Sequence, residues 1–123
     1  MERVREAYRL SRRGDPRLIL ELIHPDATWQ GVPGARWKAC ENGHEVAKTL
    51  LWRGAAHRFR PAEVIDVGDR VVVGLRGTRM NRLGAPWWAT KIYQVVTVRD
   101  GRIQRIQDYA RREHALQAVG LKT

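Results

Sequence analysis

One acidic side chain is predicted to lie on an otherwise apolar strand face. Asp108 alternates along its strand with Ile106 and Ala110, which predicts that the carboxyl points inward. A carboxyl in an apolar cavity has a raised pKa, so it can act as an acid or a base near neutral pH. Two structural roles remain open as well: Asp108 pairs with an arginine, or it caps the helix that begins near Arg111.

Two polar side chains on neighbouring strands are predicted to face the same interior. Gln94 shares a strand face with Ile92 and Val96, and a buried amide costs about 1–3 kcal/mol unless it is hydrogen-bonded. Aligning the strands places Arg76 inward, where it would lower the pKa of the Asp108 carboxyl and stabilise negative charge that develops in a reaction. The sequence therefore predicts a catalytic group of Asp108, Arg76 and Gln94, with no metal and no cofactor.

Large apolar side chains are candidates for the wall of a ligand pocket. Tyr8, Trp29 and Trp88 are suited to contact a flat or cyclic ligand, and Ile92 and Leu50 would add apolar surface. The same residues also serve as ordinary core, so a filled interior is the alternative. Five tryptophans in 123 residues favour the aromatic-lined cavity.

Four segments have the hydrophobic period of amphipathic helices. Asn42 with Glu45 three residues later forms a capping box, and Gly120 is predicted to end the last helix. Gly14 is predicted to stop the first helix and Asp15 to cap the second. The predicted helices are residues 2–13, a short segment from Pro16 to the His24-Pro25-Asp26 turn, a segment opening at Asn42, and residues 111–119.

From residue 57 onward the period changes to two, which predicts an antiparallel meander. Asp100-Gly101 is a strong hairpin signal, since both turn positions tolerate positive φ. On the long strand the even-numbered residues 88–98 are predicted to face inward. The outer face keeps Lys91 but also several apolar residues, which favours a homodimer through this face. The strand candidates are residues 27–30, 58–66, 70–79, 86–98 and 102–110.

Composition excludes several classes of protein. The chain has a formal net charge of +10, yet its arginines are scattered and accompany no nucleic-acid-binding motif, so we do not expect nucleic-acid binding. Cys40 is the only cysteine, and no CxxC or HxxxH spacing occurs, so neither a disulfide nor a metal site is expected. No apolar run reaches the roughly 20 residues of a membrane span, and the charged start has no signal-peptide pattern. These features predict a single cytoplasmic domain, residues 1–123.

Several short motifs occur together in a fixed order along nearly the whole chain. They are Gly14-Asp15-Pro16, His24-Pro25-Asp26-Ala27-Thr28-Trp29, Val67-Gly68-Asp69-Arg70-Val71-Val72-Val73, Arg99-Asp100-Gly101-Arg102-Ile103, and Asp108-Tyr109-Ala110-Arg111-Arg112 followed by Ala115-Leu116. In order and spacing the first four resemble the NTF2-like superfamily, and the last resembles its SnoaL-like branch. The resemblance implies a cystatin-like α+β roll, in which a curved antiparallel sheet wraps against N-terminal helices around a cone-shaped pocket.

The resemblance also bears on individual residues. The general base of ketosteroid isomerases would fall near Gly31, so that base is absent, whereas their aspartic-acid donor would fall near Gln94. Asp108 occupies a place similar to the acidic residue of SnoaL-like cyclases. An Asp108–Arg76 pair is similar to limonene-epoxide-hydrolase-like sites, which use two acids around the arginine where this chain has one. The family hosts many reactions, so the resemblance implies a fold more firmly than a reaction.

Three hypotheses for function follow. The first is an enzyme without cofactor that isomerises, cyclises or hydrolyses a small hydrophobic molecule, with Asp108 transferring the proton and Gln94 and Arg76 orienting the substrate. The second is a non-catalytic ligand-binding or dimerisation domain of the same fold. The third is a basic scaffold for nucleic acid or acidic partners.

Overall fold

The structure, a computed structural model, describes residues 2–13, 16–34 and 38–121. It confirms the predicted α+β class, with one five-stranded sheet and four α-helices in the described residues. The predictions for Gly14 and Asp15 fall outside those residues. The elements are α1 (Glu2–Arg13), α2 (Pro16–Leu22), β1 (Ile23–Gln30), α3 (Gly43–His57), β2 (Arg60–Val67), β3 (Arg70–Arg76), β4 (Lys91–Arg99), β5 (Arg102–Tyr109) and α4 (Arg112–Ala118).

The sheet has the strand order β1-β5-β4-β3-β2. Strands β2 to β5 form the predicted antiparallel meander, and β1 joins its edge in parallel with β5, so the sheet as a whole is mixed. Three of the four strand pairs contain a register shift. Such irregularities bend the strands, which lets the sheet curve around the helices.

Helices α1 to α3 cover the inner face of the sheet. One face of α1 is buried in the core, and its opposite face carries exposed arginines such as Arg5 and Arg9. The capping box that opens α3 is also present: the Asn42 side chain accepts a hydrogen bond from the Glu45 backbone N–H at 2.9 Å. The buried face of α1 consists of Val4, Ala7, Tyr8, Leu10 and Ser11.

Helix α4 covers part of the outer face of the sheet. Ala115, Leu116 and Val119 pack on Val72 and Val95 in a second apolar cluster. Helix α4 therefore covers, within one chain, part of the apolar outer face through which the sequence predicts a homodimer.

Two connections differ from the sequence-based prediction. The His24-Pro25-Asp26 segment, predicted as a turn, belongs to β1, which starts at Ile23. Strand β4 starts at Lys91 rather than near residue 86, because a 3₁₀ turn (Met80–Leu83) and a loop precede it. The Asp100-Gly101 hairpin forms as predicted, with φ of 53° and 75°. Among the described residues, no helix has the length and hydrophobicity needed to cross a membrane.

Candidate functional site

Asp108 lies near the end of β5 and points into the core, as predicted. The side chain is fully buried, and alternation along the strand also buries Ile106 on the same face. Its strand partner on β4 is Gln94, which is 1% exposed. The sheet register therefore places a carboxyl and a carboxamide side by side in an apolar interior.

A hydrogen-bonded chain connects four elements at this point. Trp29 from β1 donates its Nε1–H to Asp108 Oδ1 at 2.9 Å, and Gln94 from β4 donates Nε2–H to the same oxygen at 2.7 Å. Tyr8 from α1 donates its hydroxyl to Gln94 Oε1. Since the tyrosine occupies the amide oxygen, the NH₂ group of Gln94 is directed at the carboxyl.

The second carboxyl oxygen of Asp108 differs from the first in its hydrogen bonding. Asp108 Oδ2 is buried and accepts no hydrogen bond from any residue that the structure describes. A buried acceptor without a donor costs about 1–3 kcal/mol, so this oxygen is a place where a proton or a ligand group is favoured.

Burial is the main influence on the ionisation of this carboxyl. It raises the pKa of Asp108 from 3.8 to about 7, although the hydrogen bonds from Trp29 and Gln94 and the charge of Arg53 lower it. At a pKa near neutrality both forms of the carboxyl are populated. Asp108 can therefore accept a proton in one half of a reaction and return it in the other.

The arginine that acts on Asp108 comes from α3. Arg53 is 6% exposed, and its guanidinium carbon lies 5.3 Å from the centroid of a Trp29 ring, which is a cation–π contact. Burial lowers the pKa of Arg53, while the charge of Asp108 opposes that change. The sequence analysis did not identify this residue, although Arg53 follows buried Leu50 by three positions and therefore lies on the same face of α3.

The prediction that Arg76 faces the interior is wrong. Arg76 is exposed, because Val73 and Leu75 occupy the inner face of β3 and leave the even-numbered positions outside. Helix α4 covers this outer face, so residues 71–75 are all buried and their hydrophobicity could not distinguish the two sides.

The prediction that Trp88 lines the interior is also wrong. Trp88 is 68% exposed and lies in the loop before β4, where the period of two does not apply. The other four predicted wall residues, Tyr8, Trp29, Leu50 and Ile92, are all buried in the core cluster between helices and sheet.

The core around Asp108 consists of buried side chains. The clefts among the described residues include four of about 90 to 480 Å³, and neither Asp108 nor Gln94 lines any of these four. One cleft, of about 440 Å³, includes Cys40, whose backbone pairs with that of Trp29. The pocket predicted at Asp108 therefore stays a prediction.

Cys40 has the properties of an inert thiol. Its Sγ lies 3.3 Å from Thr49 Oγ1, and burial raises the pKa of the thiol, which disfavours the nucleophilic thiolate. In residues 2–13, 16–34 and 38–121, no three His, Cys, Asp or Glu side chains group in a way that could hold a metal ion.

Replacing Tyr8 tests the hydrogen-bonded chain. Tyr8→Phe removes the donor to buried Gln94 Oε1, so we expect a loss of about 1–3 kcal/mol in the free energy of unfolding. We also expect a higher pKa for Asp108, because the released amide no longer stabilises the carboxylate. Urea unfolding and a carboxyl-carbon NMR titration measure the two effects. Tyr109→Phe, on the outer face, is the matched control, and an unchanged Asp108 pKa in Tyr8→Phe would contradict this role.

The profile of the SnoaL-like domain family matches residues 4–106. This chain belongs to the SnoaL-like domain family. The match includes Tyr8, Trp29, Arg53 and Gln94, whereas Asp108 lies just beyond its end.

Solved structures agree with the fold of this SnoaL-like domain. It is similar to an NTF2-like protein of unknown function from Burkholderia pseudomallei (25% identity, 98% of this chain and 96% of that one, TM-score 0.64). A putative polyketide cyclase from Sinorhizobium meliloti is also similar (18% identity, 88% and 94% coverage, TM-score 0.67). So is a de novo designed protein with a curved β-sheet (23%, 96% and 91%, TM-score 0.66). A search of curated proteins finds no significant match to the SnoaL-like domain.

Proposed function

We propose that this SnoaL-like domain binds a small hydrophobic molecule between its sheet and helices, and that Asp108 transfers a proton to or from it. One observation carries the proposal. The carboxyl is fully buried, one oxygen is held by Trp29 and Gln94, and the other has no donor among the described residues. A pKa of about 7 makes both protonation states accessible at neutral pH.

The chemistry that suits this arrangement is isomerisation of a carbonyl compound. Asp108 Oδ2 removes a proton from the carbon next to the carbonyl group, and the C–H electrons move to the carbonyl oxygen as an enolate. The same carboxyl then returns the proton to another carbon, so no oxidant or other reactant is consumed. The cation of Arg53 favours the negatively charged intermediate.

Asp108 lines none of the four clefts given above, so we infer that side chains move to admit the ligand. The cleft that includes Cys40 is the route we propose, since the Cys40 backbone is hydrogen-bonded to that of Trp29 at 2.9 and 3.0 Å. The similarity to a putative polyketide cyclase agrees with a small-molecule role.

The burial of large side chains in the interior favours a second candidate, a ligand-binding domain without catalysis. Tyr8, Trp29 and Leu50 are among the largest fully buried side chains and occupy the space between sheet and helices. In that case the Asp108 network would serve the structure of the core. A homodimer and a cytoplasmic location also stay predictions.

The test is proton exchange in D₂O with a panel of small cyclic enones, followed by NMR. We expect exchange next to the carbonyl group to increase as pH rises through about 7, because the carboxylate form is the base. Asp108→Asn should lower the rate by about 100-fold or more. Asp69→Asn, in the exposed turn between β2 and β3, is the matched control and should exchange like the wild type.

Two results would oppose the catalytic proposal. Equal exchange in Asp108→Asn and the wild type would remove the role of the carboxyl. If an enone shifts the signals of core residues and no exchange occurs, the non-catalytic candidate is supported instead.

A further inference from the structure

The outer face of the sheet has a row of cations at one end. Arg60, Arg76 and Lys91 are register partners across β2, β3 and β4. Arg60 and Arg76 are exposed, and Lys91 is partly exposed. Tyr93 lies two residues after Lys91 on the same face, with its ring beside Gly74. This end of the sheet therefore combines positive charge with an aromatic surface.

A cleft of about 410 Å³ opens at the same place. The ring of Trp88, 68% exposed, and that of Tyr93 contribute to its wall, together with the cation of Lys91. The start of α4 completes it with Arg111, Arg112 and Glu113. A cleft of this volume can hold a small organic molecule. Sites for such molecules typically combine aromatic side chains with a few polar or charged groups.

The charges of this cleft are not balanced. Arg112 is paired with Glu63 through two hydrogen bonds of 2.9 and 3.0 Å, and Arg111 approaches Glu113 at 3.7 Å. The charge of Lys91 also acts on Glu63, but Arg60, Arg76, Lys91, Arg111 and Arg112 are five cations around two carboxylates, so positive charge is in excess. The surface thus favours an anion.

We propose that this cleft, the outer cleft, binds a small organic anion that has a flat ring and a carboxylate or phosphate group. The ring lies against Trp88 and Tyr93, and the anionic group reaches Lys91, whose register partner Arg76 adds positive charge beside the cleft. On β4, Gln94 faces inward and Tyr93 outward, so the outer cleft is separated by the sheet from Asp108. The homodimer predicted through the outer face would leave this end of the sheet uncovered, because a two-fold contact at the outer cleft would oppose like charges.

The test uses 2-naphthoate and adenosine monophosphate as probes, with the indole N–H signals of the tryptophans followed by NMR. We expect at least one probe to shift the Trp88 signal and leave that of Trp52 in place. Lys91→Met and Trp88→Ala should each weaken binding about 10-fold, and added salt should weaken it further. Comparing the probes distinguishes a carboxylate ligand from a nucleotide.

Two exposed residues that line none of the clefts described above supply the controls. Trp87 is 87% exposed and Arg102 is exposed at the start of β5, so Trp87→Ala and Arg102→Met remove an indole and a cation outside the outer cleft. Neither should change probe binding.

Three results would overturn the proposal. One is probe binding that Lys91→Met and Trp88→Ala leave unchanged. Another is binding only to single-stranded oligonucleotides, with affinity that grows with length, which would indicate a nucleic-acid surface. The third is a dimer in light scattering that Trp88→Ala dissociates, which would show that a second copy covers the outer cleft.

Discussion

The free energy of unfolding of Asp108→Asn should exceed that of the wild type by an amount that grows as pH rises from about 4 to about 7. The carboxyl has a pKa of about 7 in the folded chain and an ordinary value of 3.8 when exposed. Between these values the folded state holds a proton that the unfolded state has released. The free energy of unfolding of the wild type therefore falls as pH rises from about 4 to about 7, and asparagine removes this dependence.

The expected size follows from the pKa difference. A pKa difference of this size lowers the free energy of unfolding of the wild type, relative to that of Asp108→Asn, by an amount on the order of 4 kcal/mol between about pH 4 and pH 8. This decrease is complete above the pKa of the folded state, so the free energies of unfolding of the two proteins should differ by a constant amount beyond about pH 8. All other titrating groups are shared by both proteins, and they cancel in the comparison.

Urea unfolding of both proteins at a series of pH values measures this difference. Asp66 is exposed near the end of β2 and provides a control. The free energy of unfolding of Asp66→Asn should depend on pH as that of the wild type does. Parallel curves for Asp108→Asn and the wild type would mean that the buried carboxyl titrates near its ordinary value, and the acid–base proposal would lose its main support.

Gly43→Ala should destabilise the domain by about 3 kcal/mol, at the upper end of the usual range for overpacking. A Cβ at Gly43 would lie 2.2 Å from the carbonyl oxygen of His24 and 3.1 Å from Pro25 Cα. Both are backbone atoms, so the start of α3 and the chain of β1 would have to separate. These two elements position Arg53 and Trp29 at the site.

The neighbouring position provides the control for Gly43→Ala. His44 is exposed in the first turn of α3, and His44→Ala should change the free energy of unfolding by no more than about 0.5 kcal/mol. The measurement is again urea unfolding. If Gly43→Ala remains within that same margin, the close approach of α3 to β1 does not limit the fold.

Local signals in the sequence predicted most of the elements. The Asn42–Glu45 capping box and the Asp100-Gly101 turn act over three or four residues, so their chemistry is complete in the sequence. The inward direction of Asp108 and Gln94 was also predictable, because β4 and β5 each bury one clearly apolar face towards the helices.

The partners of Asp108 could not be predicted in the same way. Trp29 is 79 residues away from it in the chain, and no local pattern indicates that its indole would meet the carboxyl. The error at Arg76 has a similar origin: α4 returns from the end of the chain to cover the outer face of β3, so both faces of that strand are apolar.

By itself the sequence determined the class of fold, the meander and the burial of Asp108, since periodicity and turn chemistry depend on neighbouring residues. Only the tertiary structure decided which arginine approaches the carboxyl, which tryptophan is exposed, and where clefts open. Those properties depend on how α3, α4 and the loop before β4 pack against the sheet. That packing is the sum of many long-range contacts, and single motifs do not encode it.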